Sequence, residues 1–82
     1  MKIGQLVRMA NQIGSFFESM PDQDKAMKGI AEHLRKFWDP RMRRELLAFL
    51  DQYPEGWSGD VVLTPMAREA ILKHRDLVAT GV

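Results

Sequence analysis

The sequence predicts an all-α protein, a small bundle of three to four helices in a single domain spanning residues 1–82. Three observations predict it. Apolar residues recur at three- and four-residue spacing through most of the chain, which is the period of a helix. Asp39-Pro40 and Thr64-Pro65 each join a capping side chain to a proline with a preset φ, and Pro21-Asp22 marks a further start. The one extended apolar run, Val61-Val62-Leu63, is too short for an independent sheet.

The first helix is expected over about 3–19, where Ile3, Leu6, Met9, Ala10, Ile13, Phe16, Phe17 and Met20 share one face at 100° per residue. Its opposite face, with Arg8, Asn11, Gln12, Ser15, Glu18 and Ser19, is polar but nearly uncharged. Two readings fit that face. It is solvated, or Asn11 and Gln12 hydrogen-bond a partner, since interface centres exclude charge more strongly than amides. A second helix over about 23–38 begins after the cap residue Asp22 and turns Ala26, Met27, Ile30, Ala31, Leu34, Phe37 and Trp38 inward. His33 falls at the margin of that stripe, with no second histidine or carboxylate pattern to make a metal site.

The third helix, about 40–52, turns Met42, Leu46, Phe49, Leu50 and Tyr53 one way and leaves Leu47 on the flank beside Arg43, off the core stripe. Pro54 to Asp60 then reads as a turn-rich loop whose Trp57 needs a place for its ring, on the helices or in another protein. A fourth helix over about 65–78 gathers Met66, Ala67, Ala70, Ile71, Leu77 and Val78, with His74 in the middle of that side. It either completes the bundle or reaches onto a partner. The tail from Ala79 to Val82 is expected to fray.

The joint Phe37-Trp38-Asp39-Pro40-Arg41-Met42-Arg43-Arg44 concentrates two aromatics, a cap and three arginines in one short stretch. Arg41, Arg43 and Arg44 lie in or beside a first helical turn, where the helix dipole disfavours each exposed cation by about 0.3–1 kcal/mol. Either the three form a solvated basic face neutralised by Asp39, Glu45 and Glu32, or they meet a partner.

Composition narrows the function classes. A chain of 82 residues buries only about 60% of its unfolded surface, so a partner that finishes the core would add to a modest stability. Twelve basic and eleven acidic side chains leave a net charge of +1, no global field for nucleic acid or an anionic membrane. Arg35, Lys36, Arg41, Arg43 and Arg44 could contact phosphates locally, but no recognition helix with base-reading side chains accompanies them. The absence of cysteine excludes disulfides, thiolate zinc sites and self-supplied ligation of an iron–sulfur cluster. No secretory h-region or apolar run long enough to span a bilayer occurs, so a cytoplasmic location is expected, without a membrane. No nucleophile, paired-carboxylate, phosphate-loop or metal motif is present, and neither catalysis nor a bound cofactor is expected.

The segments MANQIGSFFESMP (Met9–Pro21), GIAEHL (Gly29–Leu34) and above all FWDPRMRREL (Phe37–Leu46) resemble the delta subunit of soluble NAD-dependent formate dehydrogenase. The resemblance runs from about Ile3 to Leu50 and weakens beyond Tyr53, although VLTPMAREAI is similar to the family's tail. In that family an alpha subunit carries the molybdenum or tungsten bis-pterin guanine dinucleotide site with iron–sulfur clusters. Beta and gamma subunits pass electrons through FMN and further clusters to NAD. The resemblance implies a small cofactor-free accessory chain that supports assembly or stability of the cytoplasmic complex, which oxidises formate to CO2. A transient maturation chaperone or regulator of that enzyme is the alternative. The residues expected to face a partner are Asn11, Gln12, Trp38, Arg41, Arg43, Arg44, Leu47 and Trp57.

Overall fold

A computed structural model describes residues 2–79 and is built from helices, with one very short hairpin. The order is α1 (Ile3–Phe17), α2 (Gln23–Phe37), α3 (Pro40–Gln52), β1 (Trp57–Ser58), β2 (Val61–Val62), α4 (Pro65–Lys73) and α5 (Arg75–Ala79). Two of the three expected side-chain caps form, whereas Thr64, at the start of α4, makes no side-chain cap hydrogen bond and leaves Pro65 to set that start. Asp22 Oδ1 accepts from the amides of Asp24 and Lys25 at 3.0 and 3.2 Å, and Asp39 Oδ1 accepts from the Met42 amide at 2.9 Å. Each satisfies first-turn donors that the helix itself leaves unpaired.

α2 is the hub, in contact with α1, α4 and α5. Its Ala26, Ile30, Ala31 and Leu34 are completely buried, and full burial of an Ile or Leu side chain is worth about 1.5–3 kcal/mol. α1 runs across both α2 and α4. At its crossing with α4 a Cβ added to Gly14 would sit 3.4 Å from the Ala67 Cβ, so two small residues set the close approach. α4 therefore completes the core. The principal extents, 31 × 29 × 18 Å, make the molecule about two helices thick along its short axis.

Two expectations about elements are corrected. The helix expected over 65–78 breaks at His74, where φ −114° and ψ 37° end α4 and α5 begins. No proline or glycine marks that break. The short α5 turns Val78 fully into the core and delivers its last carbonyls to arginines of α2 and α3: Arg35 Nη1 donates to Leu77 O at 3.4 Å and Arg43 Nη1 to Val78 O at 3.1 Å. The second correction concerns Leu47, expected on a flank off the core stripe but only 6% exposed. α3 packs against α1 on one side and α5 on the other, so its buried arc is wider than one stripe and takes in Arg43, Leu46, Leu47, Phe49 and Leu50. Ala79, expected in the fraying tail, ends α5, and the rest of that tail lies outside the described residues.

The segment between α3 and α4 folds as a hairpin in which Trp57 pairs with Val62 and Ser58 with Val61, antiparallel. Gly56 and Gly59 take φ of +90° and +58°, conformations that admit glycine without strain. Asn11 fastens this hairpin to α1, donating through Nδ2 to Val62 O and accepting at Oδ1 from the Thr64 amide, both at 2.8 Å.

Candidate functional site

A hollow of about 540 Å³ lies where the C-terminal halves of α1 and α2 meet the start of α3. α1 supplies Met9, Gln12, Ile13, Phe16 and Phe17; α2 supplies His33 and Phe37; Trp38 and Met42 close it. Its lining is largely apolar, with Gln12 and His33 as the polar side chains. Phe16 and Phe37, both expected on inward stripes, are 77% and 71% exposed at its edge. The stripes are wider than the neighbouring helices can cover, so their outer members remain in water, a costly arrangement for two phenyl rings on one small domain.

The rings here are ordered against one another. Phe16 and Phe17 meet edge-to-face with centroids 5.2 Å apart, and His33 sits between Phe17 at 6.4 Å and Phe37 at 4.7 Å. His33 is thus an aromatic packing element. Among the described residues no group of three or more His, Cys, Asp or Glu side chains is arranged to hold a metal ion. His74 is half-buried at the α4–α5 break, and its Nε2 is enclosed without a hydrogen-bond partner among the described residues.

A second hollow, about 530 Å³, continues along α3. Ile3 of α1, Glu45, Ala48, Phe49 and Gln52 of α3, and Tyr53, Ser58 and Val61 line it. Because Ile3 faces the end of α3 while Met9 to Phe16 face its beginning, α1 and α3 run antiparallel and both hollows lie on their common seam.

The residues expected to face a partner divide into two groups. Gln12, Arg41, Arg44 and Trp57 are exposed, Gln12 on the rim of the first hollow and Trp57 on the outer side of the hairpin beside exposed Val62. Trp57 therefore does not fold back onto the helices. Asn11, Trp38, Arg43 and Leu47 are occupied within the chain: Asn11 by the hairpin, Arg43 by the end of α5, and Trp38 and Leu47 by the core. Trp38, at 5% exposure, still forms part of the floor of the first hollow. The three arginines do not make one basic face, since Arg43 points inward while Arg41 and Arg44 remain in solvent. Phe16 and Phe37 were not among the residues expected to face a partner; only the excess width of their stripes over what one neighbour can cover hinted at exposure.

The hollow borders the joint from Phe37 to Arg44, with Phe37, Trp38 and Met42 in its lining. Residues 5–71 match the family model described as the NADH-dependent formate dehydrogenase delta subunit FdsD. The chain belongs to the FdsD family. The matched span takes in almost all of α1, all of α2 and α3, the hairpin and most of α4, so the segment beyond Tyr53 is within the FdsD match. Both hollows are built largely by FdsD-matched residues, with Ile3 just outside the span. Comparison with curated proteins and with solved structures found no match. Among the described residues, no helix of this FdsD-family chain is long and apolar enough to cross a membrane.

Proposed function

We propose that the chain is a non-catalytic accessory subunit that supports the assembly or stability of a cytoplasmic NAD-dependent formate dehydrogenase oxidising formate to CO2. Its partners are the larger alpha, beta and gamma subunits, which hold the redox centres; the chain itself binds no cofactor. The observation that carries this reading is the open apolar hollow with Phe16 and Phe37 turned outward, on a chain of the FdsD family. A surface of that kind gains by being covered with protein. Gln12, Arg41, Arg44 and Trp57 are proposed as direct contacts, while Asn11, Trp38, Arg43 and Leu47 hold the contact surface in shape from within.

Co-expression with the larger subunits, affinity purification through a tag on this chain, and formate-dependent NAD reduction by the eluate test the proposal. An active complex holding the chain in fixed ratio is expected. Loss of the chain from mature active enzyme would instead assign it to transient maturation, and recovery of the chain alone would refute both roles.

A further inference from the structure

We infer that the antiparallel α1–α3 seam is the docking groove for one amphipathic helix of a larger subunit, with carboxylates at the end of that helix that meets the α2–α3 joint. The inference rests on the subunit reading and adds the face, the shape of the occupant and its charge. The two hollows lie one after the other along the seam, with Met42 of α3 in the first and Glu45 in the second. From Ile3 to Phe16 α1 advances about 20 Å. Over that length Ile3, Ile13 and Phe16 face Met42 and Tyr53 across the groove, with Phe37 at the joint end. Two antiparallel helices with two hollows in succession along their seam present the ridges and grooves into which a further helix packs, with anchors at each turn. A loop or extended strand would leave its backbone amides unpaired over this apolar floor.

The charges give the occupant a direction. At the joint end Lys36 follows His33 by three residues on α2, and Arg41 precedes Met42 on α3. Neither makes an ion pair among the described residues. Asp39, the carboxylate between them in sequence, is engaged in capping α3. The positive end of the α3 dipole adds to the same local field. In the second hollow Glu45 is the only charged lining residue among the described residues, so the sign reverses there. A helix that fits carries Asp or Glu opposite Lys36 and Arg41 and a neutral or basic side chain opposite Glu45. Membership of the FdsD family, described as a subunit of a larger enzyme, favours another subunit over a second copy of this chain as its source.

The test uses the co-expressed complex. A photoreactive benzoylphenylalanine replacing Phe37, which is 71% exposed, should cross-link to one helical segment of a larger subunit with an acidic end. A Phe16→Ser/Phe37→Ser variant should lower retention in the complex at least about tenfold while leaving the helical spectrum and hydrodynamic size of the free chain unchanged. Lys36→Glu/Arg41→Glu should reduce retention at low salt, and the salt sensitivity shown by the unmodified chain should disappear. Cross-linking to a second copy of this chain, or to a segment lacking carboxylates, would overturn the inference. So would full retention of both variants in a complex that the unmodified chain joins, with the subunit reading intact. Failure of the unmodified chain to join at all would remove both.

Discussion

Arg43 occupies the first turn of α3, where a cation is disfavoured, yet it is 5% exposed and donates to the Val78 carbonyl at 3.1 Å. The unfavourable position at one helix start is offset by a favourable one at another helix end, since carbonyls at a C-terminus attract cations. Arg43→Gln should therefore cost about 1.5–3 kcal/mol, the range for hydrogen bonds to charged groups, and speed amide exchange in α5. Arg41→Gln, on the exposed side of the same turn, should stay within about 0.5 kcal/mol. Urea titration of both variants checks the contrast. Neither fate was legible in the sequence, because the feature that separates the two arginines lies 35 residues from Arg43. Asn11 is similar. Its partners, Val62 and Thr64, are 51 and 53 residues away, and an amide on a helix surface carries no mark of whether it bonds the chain's own backbone or another protein.

At the level of elements, local chemistry made the helix starts readable, for Asp22 and Asp39 accept from amides within three residues and Pro40 arrives with its φ preset. The break at His74 was not readable, since it is imposed by the burial of Val78 and by arginines from other helices. Contact between helices leaves a signature at Gly29. A Cβ there would come within 2.6 and 2.9 Å of two Phe17 ring carbons, so α1 and α2 approach through this glycine. Gly29→Ala should gain about 1 kcal/mol of helix propensity and lose about 1–3 kcal/mol by displacing the ring. The net effect expected in thermal unfolding is neutral to destabilising, the reverse of an ordinary glycine-to-alanine change in a helix. Between α2 and α4, Lys73 Nζ donates to Asp24 Oδ1 at 2.7 Å and holds that carboxyl below its ordinary pKa. A depressed folded-state pKa adds stability above the unfolded value, about 3.9, that disappears as pH falls through the folded value. Asp24→Asn should flatten this part of the acid limb, by a small amount because both partners are largely in water. Stability measured from pH 2 to 6 checks it.

For the whole molecule, helical periodicity alone was enough to give the all-α class, but not the arrangement, because amphipathic stripes state that a face is buried and not against what. The candidate site was half legible. The joint drew notice for its crowded aromatics, and Phe37, Trp38 and Met42 do close the first hollow, whereas the exposure of Phe16 follows from packing among helices remote in sequence. The same remoteness governs stability. α2 packs against α1 but also against α4 and α5, and Ala67, Ala70 and Ile71 of α4 are completely buried. A fragment ending at residue 63 should lack a cooperative thermal transition and show markedly less helix per residue than the full chain by circular dichroism. A native-like transition in that fragment would show that α1 to α3 suffice. The hub position of α2 also bears on synthesis at the ribosome. The nascent chain completes α2 before Ala67, Ala70 and Ile71 of α4, the residues that seal it, have been translated, so for that interval the apolar face of α2 is open to whatever binds bare apolar helices as they emerge.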